Sequence, residues 1–337
     1  MQLRQWMRVS VIALTLGLAA CGGDGGNDVP DQGGDPVQRV VVFGDSLSDG
    51  GTFAPQAQAV GGGKATTNPG PIWAEGVASQ LGVALTPAVT VTGTGQVQNC
   101  PTPGCFNYAQ SGARVSQDGG PIPYSVKHQL EDFYAAGNGA FNGNDDLVLV
   151  WIGSNDVFHW AGQVITPGSG VTPDIATEQV QQAATELIGY VKDMVSKNAT
   201  QVYVLNLPDS SLTPAGRSKS ADAQALEKAL VNAFNTTLQN GLAGTTARVI
   251  DIDSKLAEVI QDGAAFGFAN VSAVACDADK IDELVPGAGG SSLFCSANTL
   301  VEPGADQTYL FADGVHPSTG GHRLIADTVL QSLSLVR

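Results

Sequence analysis

Residues 43–51 of this 337-residue chain read Phe-Gly-Asp-Ser-Leu-Ser-Asp-Gly-Gly, which places Ser46 directly after a run of apolar β-formers. A serine hydroxyl is a weak nucleophile at neutral pH, and it attacks a carbonyl carbon only when a nearby base takes its proton. Serine is also a preferred N-cap residue, so the hydroxyl could simply cap a helix. The choice between these roles depends on whether the chain brings a base to the same place.

The chain has four histidines, and His316 is the strongest candidate for that base. Asp313 precedes it by three residues in the stretch Asp-Gly-Val-His-Pro, so its carboxylate can reach back to the imidazole. A carboxylate in that position fixes the tautomer and stabilises the imidazolium. His159 is the rival base, whereas His128 has the setting of an amphipathic helix and His322 is expected at the surface or as a cap.

Acyl transfer also needs hydrogen-bond donors for the carbonyl oxygen that becomes negatively charged. Gly112 lies in a glycine-bearing turn, where its backbone amide is not crowded by a Cβ atom. Asn155 follows the apolar run 147–152 and carries a side-chain amide that can donate. Taken alone, either segment could equally be an ordinary turn.

The elements that must position these residues alternate along the chain. Near-continuous apolar runs are typical of strands buried on both faces of a parallel sheet. The runs cover residues 39–45, 147–153, 201–208 and 247–253. Stretches with helical periodicity cover residues 174–197, 221–239 and about 319–333. This alternation predicts one α/β domain over residues 38–337, with Ser46 at the carboxyl edge of the sheet and at the start of a helix.

Two longer segments, residues 86–107 and 264–308, do not fit a minimal α/β unit. Segments of this length in a compact domain are usually functional. We expect the second to form part of the substrate rim and to control access for a bulky or lipid-like acyl group. Phe158 and Trp160, which follow the second apolar run, are candidates for the wall of an acyl pocket.

Cys100, Cys105, Cys276 and Cys295 make an even set in a chain that we expect to be exported. Four cysteines allow three pairings, and we expect the local one, Cys100–Cys105 with Cys276–Cys295, because each pair lies in one Gly/Pro-rich loop. A zinc site is the alternative, although no histidine lies near these cysteines in the sequence.

The amino-terminal residues have the pattern of an export signal. Residues 1–20 combine arginines with an apolar run that is short for a membrane span, and Leu-Ala-Ala-Cys-Gly at 18–22 resembles a bacterial lipobox. We expect cleavage before Cys21, lipidation of Cys21, and a flexible tether over residues 21–37. An ordinary signal peptide is the alternative. Gly22 is not the aspartate associated with inner-membrane retention, which favours the outer membrane.

Composition restricts the class of partner. The net charge is −16, which repels nucleic acid, so no nucleic-acid partner is expected. The hydrophobic content of 43% is enough for a large core, which excludes a disordered chain.

The four blocks around these residues, read in order, resemble the sequence blocks of the GDSL family, also called SGNH hydrolases. The blocks are FGDSLSDGG at 43–51, NYAQSGA at 107–113, GSND at 153–156 and DGVHP at 313–317. The resemblance implies a flavodoxin-like three-layer α/β/α sandwich with a mainly parallel sheet. It also implies serine-based ester hydrolysis without a metal or other cofactor.

By position, Ser46 matches the family's nucleophile and one oxyanion amide, while Gly112 and Asn155 match the other oxyanion donors. His316 matches the base and Asp313 the residue that orients it. We therefore expect a membrane-anchored esterase or lipase, including lysophospholipase activity. The alternatives are acyl transfer or polysaccharide deacetylation on the same residues, and a surface binding lipoprotein without activity.

Overall fold

The computed structural model describes residues 37–100 and 104–334. The predicted signal peptide, Cys21 and nearly all of the predicted tether lie outside the described residues. The strands are β1 Arg39–Gly44, β2 Val89–Val91, β3 Val97–Asn99, β4 Gly143–Trp151, β5 Ala199–Leu205, β6 Arg248–Ile250, β7 Asn270–Val274 and β8 Tyr309–Phe311.

Eleven α-helices accompany these strands in the described part of the chain. They are α1 Ala54–Ala57, α2 Trp73–Gln80, α3 Val126–Phe133, α4 Ser154–Ile165, α5 Pro173–Ser196, α6 Pro214–Arg217, α7 Ala221–Leu242, α8 Ile252–Gln261, α9 Ala278–Leu284, α10 Ala305–Thr308 and α11 Thr319–Ser334. Single 3-10 turns lie at Gln58–Val60, Ser210–Leu212, Gly263–Phe266, Ser292–Phe294 and Ala297–Thr299, and a π-helical turn lies at Tyr134–Asn138.

The central sheet is parallel and has the strand order β1-β4-β5-β6. Residues 106–108 run beside the edge of β1 that faces away from β4. The Val42 amide donates to the Phe106 carbonyl at 2.9 Å, and the Tyr108 amide donates to the Val42 carbonyl at 2.8 Å. Segments that come later in the chain therefore lie on both sides of β1. This reversal is the switch point where open α/β sheets place their sites, at the carboxyl ends of the strands.

Helices cover both faces of the sheet. Phe43 of β1 and Trp151 of β4 point to opposite faces, because Phe43 pairs with the residue before Trp151 and side chains alternate along a strand. Phe43 contacts Phe133 of α3 with ring centroids 5.9 Å apart, and Trp151 contacts Trp73 of α2 at the same separation. The domain is therefore a three-layer α/β/α sandwich with a mainly parallel sheet, as the sequence predicts.

Local capping explains where the main elements begin and end. Helix α5 begins at Pro173 after Thr172, whose hydroxyl accepts from the Ile175 amide, and both features favour a helix start. The predicted fourth strand is shorter than expected and ends at Ile250, because the Asp251 carboxylate accepts from the Ser254 amide and starts α8. A helix therefore begins inside the apolar run that was assigned to the strand.

The two long segments contain short elements of their own. Residues 86–107 contain the antiparallel pair of β2 and β3 with a Cys100–Cys105 disulfide. Residues 264–308 contain β7, α9, α10 and a Cys276–Cys295 disulfide, whose buried sulfurs belong to a second small apolar cluster. Both predicted pairings are present. Across the described ranges, none of the helices is both long enough and apolar enough to span a bilayer.

Candidate active site

Two residues 270 positions apart in the sequence meet at the carboxyl edge of the sheet. Ser46 follows β1, and His316 lies in the loop between β8 and α11. The Ser46 Oγ and His316 Nε2 atoms are 2.8 Å apart, which is the distance of a hydrogen bond. The hydroxyl can therefore pass its proton to the imidazole directly.

Asp313 holds the opposite side of the His316 ring. Both carboxylate oxygens lie 2.9 Å from His316 Nδ1. The backbone amides of Val315 and His316 donate to Asp313 Oδ1 at 3.0 and 2.9 Å, and the Ser292 amide donates to Oδ2 at 3.0 Å. This ring orientation leaves Nε2 facing Ser46.

The electrostatics of the pair favour a carboxylate beside a basic imidazole. Burial alone would raise the pKa of Asp313, but the His316 charge and the hydrogen bonds from His316 and Ser292 lower that pKa well below its usual range. Burial alone would lower the pKa of His316, but the Asp313 carboxylate raises it above its ordinary value of 6.5, and Asp45 adds to the rise. Asp313 is therefore ionised whenever His316 can act as a base.

The backbone at Ser46 is a tight turn, so the predicted helix at this position is wrong. The Ser48 amide donates to the Asp45 carbonyl at 3.0 Å, and the Leu47 amide donates to Asp45 Oδ1 at the same distance. The next helix, α1, begins only at Ala54. The amides of residues 51 and 52 donate to the Asp49 carboxylate and not to backbone carbonyls of a helical turn. These hydrogen bonds turn the chain before a helix can form.

Asp45 is a buried carboxyl directly beside the candidate nucleophile. Its side chain is 1% exposed, and its Oδ2 atom has no hydrogen-bond partner among the described residues. Burial raises its pKa to about 7, against the lowering effects of the Leu47 amide and of His316. Asp45 shapes the turn through Oδ1, which accepts from the Leu47 amide.

Gly112 follows the segment 106–108 beside β1, Asn155 follows β4, and both residues line the same cavity as Ser46. Gly112 has a φ of +87°, a conformation that glycine adopts without strain. The Asn155 side chain donates from Nδ2 to the Ala113 carbonyl at 2.9 Å, so the two segments are joined. Gly153, with a φ of +124°, turns the chain from β4 into α4 and so places Asn155 at the sheet edge.

Two further contacts hold these loops, and the sequence motifs do not predict them. Asp49 Oδ2 accepts from the Ser111 amide and from the Ser111 hydroxyl, both at 2.8 Å. Arg114 Nε lies 3.2 Å from the buried carboxylate of Asp156. Asp49 and Asp156 lie inside the family-like blocks and Arg114 directly follows one, but only the folded chain shows which group each of them contacts.

The cavity beside Ser46 has a volume of about 610 Å³. Phe158 lines it, as predicted, whereas Trp160 is not among the residues that line it. Ser291, Ser292 and Leu293 form part of its rim and come from the long segment 264–308. That segment therefore contacts both the cavity and, through the Ser292 amide, Asp313.

The remaining histidines lie elsewhere. His159 is exposed on α4, and His128 lies on α3 with its Nδ1 atom 3.1 Å from Asp118. The prediction of a surface position for His322 is wrong, because its side chain is fully buried. The alternative of a capping role agrees with its contact: Nδ1 accepts from the amide of Trp73, the first residue of α2, at 3.2 Å. Burial lowers the pKa of His322 to about 3, so it is a neutral residue of the core.

Residues 37–100 and 104–334 hold no group of three or more His, Cys, Asp or Glu side chains that could bind a metal ion. Residues 40–329 match the sequence profile of the GDSL-like Lipase/Acylhydrolase family. The chain belongs to this family. As a GDSL-like lipase/acylhydrolase it carries the expected blocks at Ser46, Gly112, Asn155 and His316, and all four residues line one cavity.

Curated relatives of this GDSL-like protein include a phosphatidylcholine-sterol acyltransferase of Aeromonas hydrophila. It is 26% identical over 242 residues, which cover 69% of this chain and 63% of that protein. Esterase EstA of Pseudomonas aeruginosa is 29% identical over 336 residues, which cover 90% of this chain and 48% of that protein. The chain thus spans between about half and two thirds of the length of these relatives.

Among solved structures, the acetylxylan esterase Axe2 from Geobacillus stearothermophilus is similar with a TM-score of 0.44 and 16% identity. The match covers 88% of this chain and 94% of that chain. An extracellular lipase from Streptomyces rimosus has a TM-score of 0.41 and 20% identity, covering 66% and 82% of the two chains. Scores this low support no inference about substrate.

Proposed function

We propose that this GDSL-like protein hydrolyses carboxylic esters through an acyl-enzyme on Ser46. The observation that carries the proposal is the contact of 2.8 Å between Ser46 Oγ and His316 Nε2, with Asp313 on the far side of the ring. A serine, an imidazole and a carboxylate in this order provide a nucleophile, a base and a residue that orients the base.

In the acylation step, His316 Nε2 takes the Ser46 proton while Oγ forms a bond to the ester carbonyl carbon. The carbonyl oxygen gains negative charge and accepts hydrogen bonds from the Ser46 amide, the Gly112 amide and Asn155 Nδ2. When the carbon–oxygen bond to the alcohol breaks, His316 gives its proton to the departing oxygen. Asp313 stays ionised and stabilises the imidazolium throughout.

In the deacylation step, water replaces the alcohol. His316 removes a proton from the water, and the resulting hydroxide attacks the acyl carbon of the ester on Ser46. The same three donors hold the oxygen again, and the proton returns from His316 to Ser46 Oγ as the acid leaves.

The direct test is the Ser46→Ala variant on p-nitrophenyl butyrate. We expect hydrolysis to fall to the level of the buffer while circular dichroism and the melting temperature stay close to wild type. The substitution removes one oxygen at a half-buried turn position, so it leaves the fold intact. A folded Ser46→Ala protein with wild-type turnover would exclude Ser46 as the nucleophile.

Acyl transfer is the second candidate, and the similarity to the Aeromonas hydrophila acyltransferase favours it. The acyl group on Ser46 would pass to the hydroxyl of a sterol or sugar instead of to water. Adding an alcohol acceptor to the ester assay separates the two: transfer gives a new ester, whereas hydrolysis gives only free acid. Deacetylation of a polysaccharide is tested by supplying an acetylated glycan as the substrate and measuring the acetate released.

We also propose that the protein is an exported lipoprotein that is lipidated at Cys21. Its support is the sequence pattern around that cysteine, because several acyl chains on one residue would hold the protein on a bilayer. A Cys21→Ser variant expressed in a bacterium should leave the membrane fraction and no longer incorporate labelled palmitate. Separation of inner and outer membranes then tests the outer-membrane destination.

A further inference from the structure

We propose that the cavity beside Ser46 binds the acyl chain of the ester along the edge of the sheet, and that helix α8 limits the chain length. This inference rests on the proposed function of Ser46. It names the substrate class of that site: esters of medium to long unbranched fatty acids, in preference to acetate.

The direction of the cavity follows the strand order. It begins at Ser46 after β1 and passes Phe158 on the helix that follows β4. It then passes Leu212 after β5 and reaches Leu256 and Ile260 on α8, which follows β6. Three strand spacings of about 4.8 Å give a length of about 14 Å, which an extended chain of about ten methylene groups would fill.

Apart from Asp45 beside Ser46, whose Oδ2 atom has no partner among the described residues, the carboxylates and the lysine that line this cavity have partners within the protein. Lys219 forms an ion pair with Glu227, whose side chain is buried. Asp209 pairs with Lys228 at 3.2 Å, and its backbone amide donates to Asp253 Oδ1 at 2.8 Å. These charged groups therefore already bind one another or the backbone, and a polar ligand would have to replace those contacts.

The apolar side chains of the cavity remain open to a ligand. Phe158, Leu226 and Ile260 all line the cavity and are only partly buried. Ile165, at the end of α4, also lines the cavity and is 71% exposed. A hydrocarbon chain laid along these side chains would remove their surfaces from water without separating any ion pair.

We assign the acyl part of the ester, and not the alcohol, to the wall of this cavity that extends toward α8. The departing alcohol oxygen must be next to His316 Nε2 to receive its proton. Val315, His316 and Pro317 together line one part of the cavity, so we assign the alcohol to that part. The wall toward α8 is then left for the acyl chain.

The test is Ala257→Trp, which places a large side chain in the cavity from an exposed position on α8. Ala229→Trp is the matched control, since it makes the same change at an exposed position of α7 outside the cavity. Wild type and both variants are compared on p-nitrophenyl acetate, butyrate, octanoate and laurate. Ile260→Ala, which opens the same wall, is the second variant if Ala257→Trp fails to fold.

For wild type, kcat/KM is expected to rise with chain length by up to about fourfold for each added buried methylene group. Ala257→Trp should lower kcat/KM for laurate at least about tenfold and change acetate less than about twofold. Ala229→Trp should match wild type on all four esters. Ile260→Ala should move the optimum to a longer chain.

Several results would overturn the inference. One is a wild-type preference for acetate. Another is the same profile of kcat/KM against chain length in Ala257→Trp and Ala229→Trp. A third is a loss in Ala257→Trp that is equal on every ester. A chain-length effect of Ala257→Trp on alkyl acetates, from methyl to dodecyl, would place the alcohol in the cavity and contradict the assignment. Failure of wild type to cleave any ester, including acetate, would instead contradict the proposed function of Ser46, and the inference with it.

Discussion

At the scale of single residues, His316 connects the parts of the site. Its Nε2 atom faces Ser46, its Nδ1 atom faces Asp313, and its ring is close enough to Asp45 for that carboxyl to affect its charge. The Ser292 amide extends this chain of contacts to the rim. A change at any of these positions should therefore be visible in the protonation of His316.

The dependence of activity on pH tests this chain of contacts. His316 must be neutral to accept the Ser46 proton, and its pKa is raised above 6.5, so activity should fall as the pH drops through a value above 6.5. Asp313→Asn removes the stronger cause of the rise, so the acid limb should move to lower pH. Turnover should also fall by about 10⁴-fold, because the tautomer is no longer fixed.

The measurement is the profile of kcat/KM against pH, with Asp45→Asn as the comparison. Asp45 raises the His316 pKa less than Asp313 does, so its replacement should move the same limb in the same direction by a smaller amount. An acid limb that stays in place or moves to higher pH in Asp313→Asn would contradict the assigned contacts.

Asn155 gives a second prediction at the residue scale. Asn155→Ala should lower kcat by roughly 10²–10³-fold with little change in KM, because its Nδ2 atom is proposed to stabilise the oxyanion. Asn144→Ala is the matched control, since Asn144 is exposed at the opposite end of the same strand, β4. A loss that appears in KM, or that is equal in both variants, would exclude this role.

The residues at the site could be predicted because each belongs to a short block of typical composition. Asp313 and His316 are three positions apart, so their contact is local. Sequence could not give the contacts of Asp49 with Ser111 or of Ser292 with Asp313, because these join distant segments whose register is set by packing. The burial of His322 could not be predicted for a related reason, because it results from tertiary packing against α2.

At the scale of elements, the carboxyl ends of neighbouring strands determine which residues meet. Ser46 follows β1, Asn155 follows β4, and Gly112 follows the segment 106–108 on the other side of β1. Continuous apolar runs predict parallel strands well, since both faces are buried. The turn after Ser46 was predicted less well, because the side chains of Asp45 and Asp49 bind local amides that a helix would have used.

The Cys276–Cys295 disulfide gives a prediction for the rim segment. Replacing both cysteines by Ala should lower the free energy of unfolding by about 3 kcal/mol, since the bond closes a loop with a sequence separation of 19. Turnover should fall about tenfold, because the Ser292 amide that binds Asp313 lies within this loop. Thermal unfolding and kcat measure the two effects separately.

The Cys100→Ala/Cys105→Ala variant is the control for that experiment. This disulfide lies beside the β2–β3 hairpin, and neither cysteine lines the cavity, so kcat should stay at the wild-type value. Equal turnover in both double variants would show that the rim segment does not position Asp313.

At the scale of the whole molecule, the site depends on bringing both ends of the domain together. Ser46 comes from the first strand and His316 from the last loop before α11, and the parallel sheet carries them to one edge. The order of the sequence blocks predicted that convergence. The depth and direction of the cavity could not be predicted, because its walls come from α4, α7 and α8, whose relative packing is not encoded in any one block.

The most direct test of the central claim is labelling with a fluorophosphonate, followed by mapping of the modified peptide by mass spectrometry. Phosphonylation needs a serine whose proton is removed by a neighbouring base. We predict one phosphonyl group on Ser46 in wild type, and labelling slower by orders of magnitude in a folded His316→Gln variant. Labelling at another serine, or equal rates in both proteins, would contradict the pairing of Ser46 with His316.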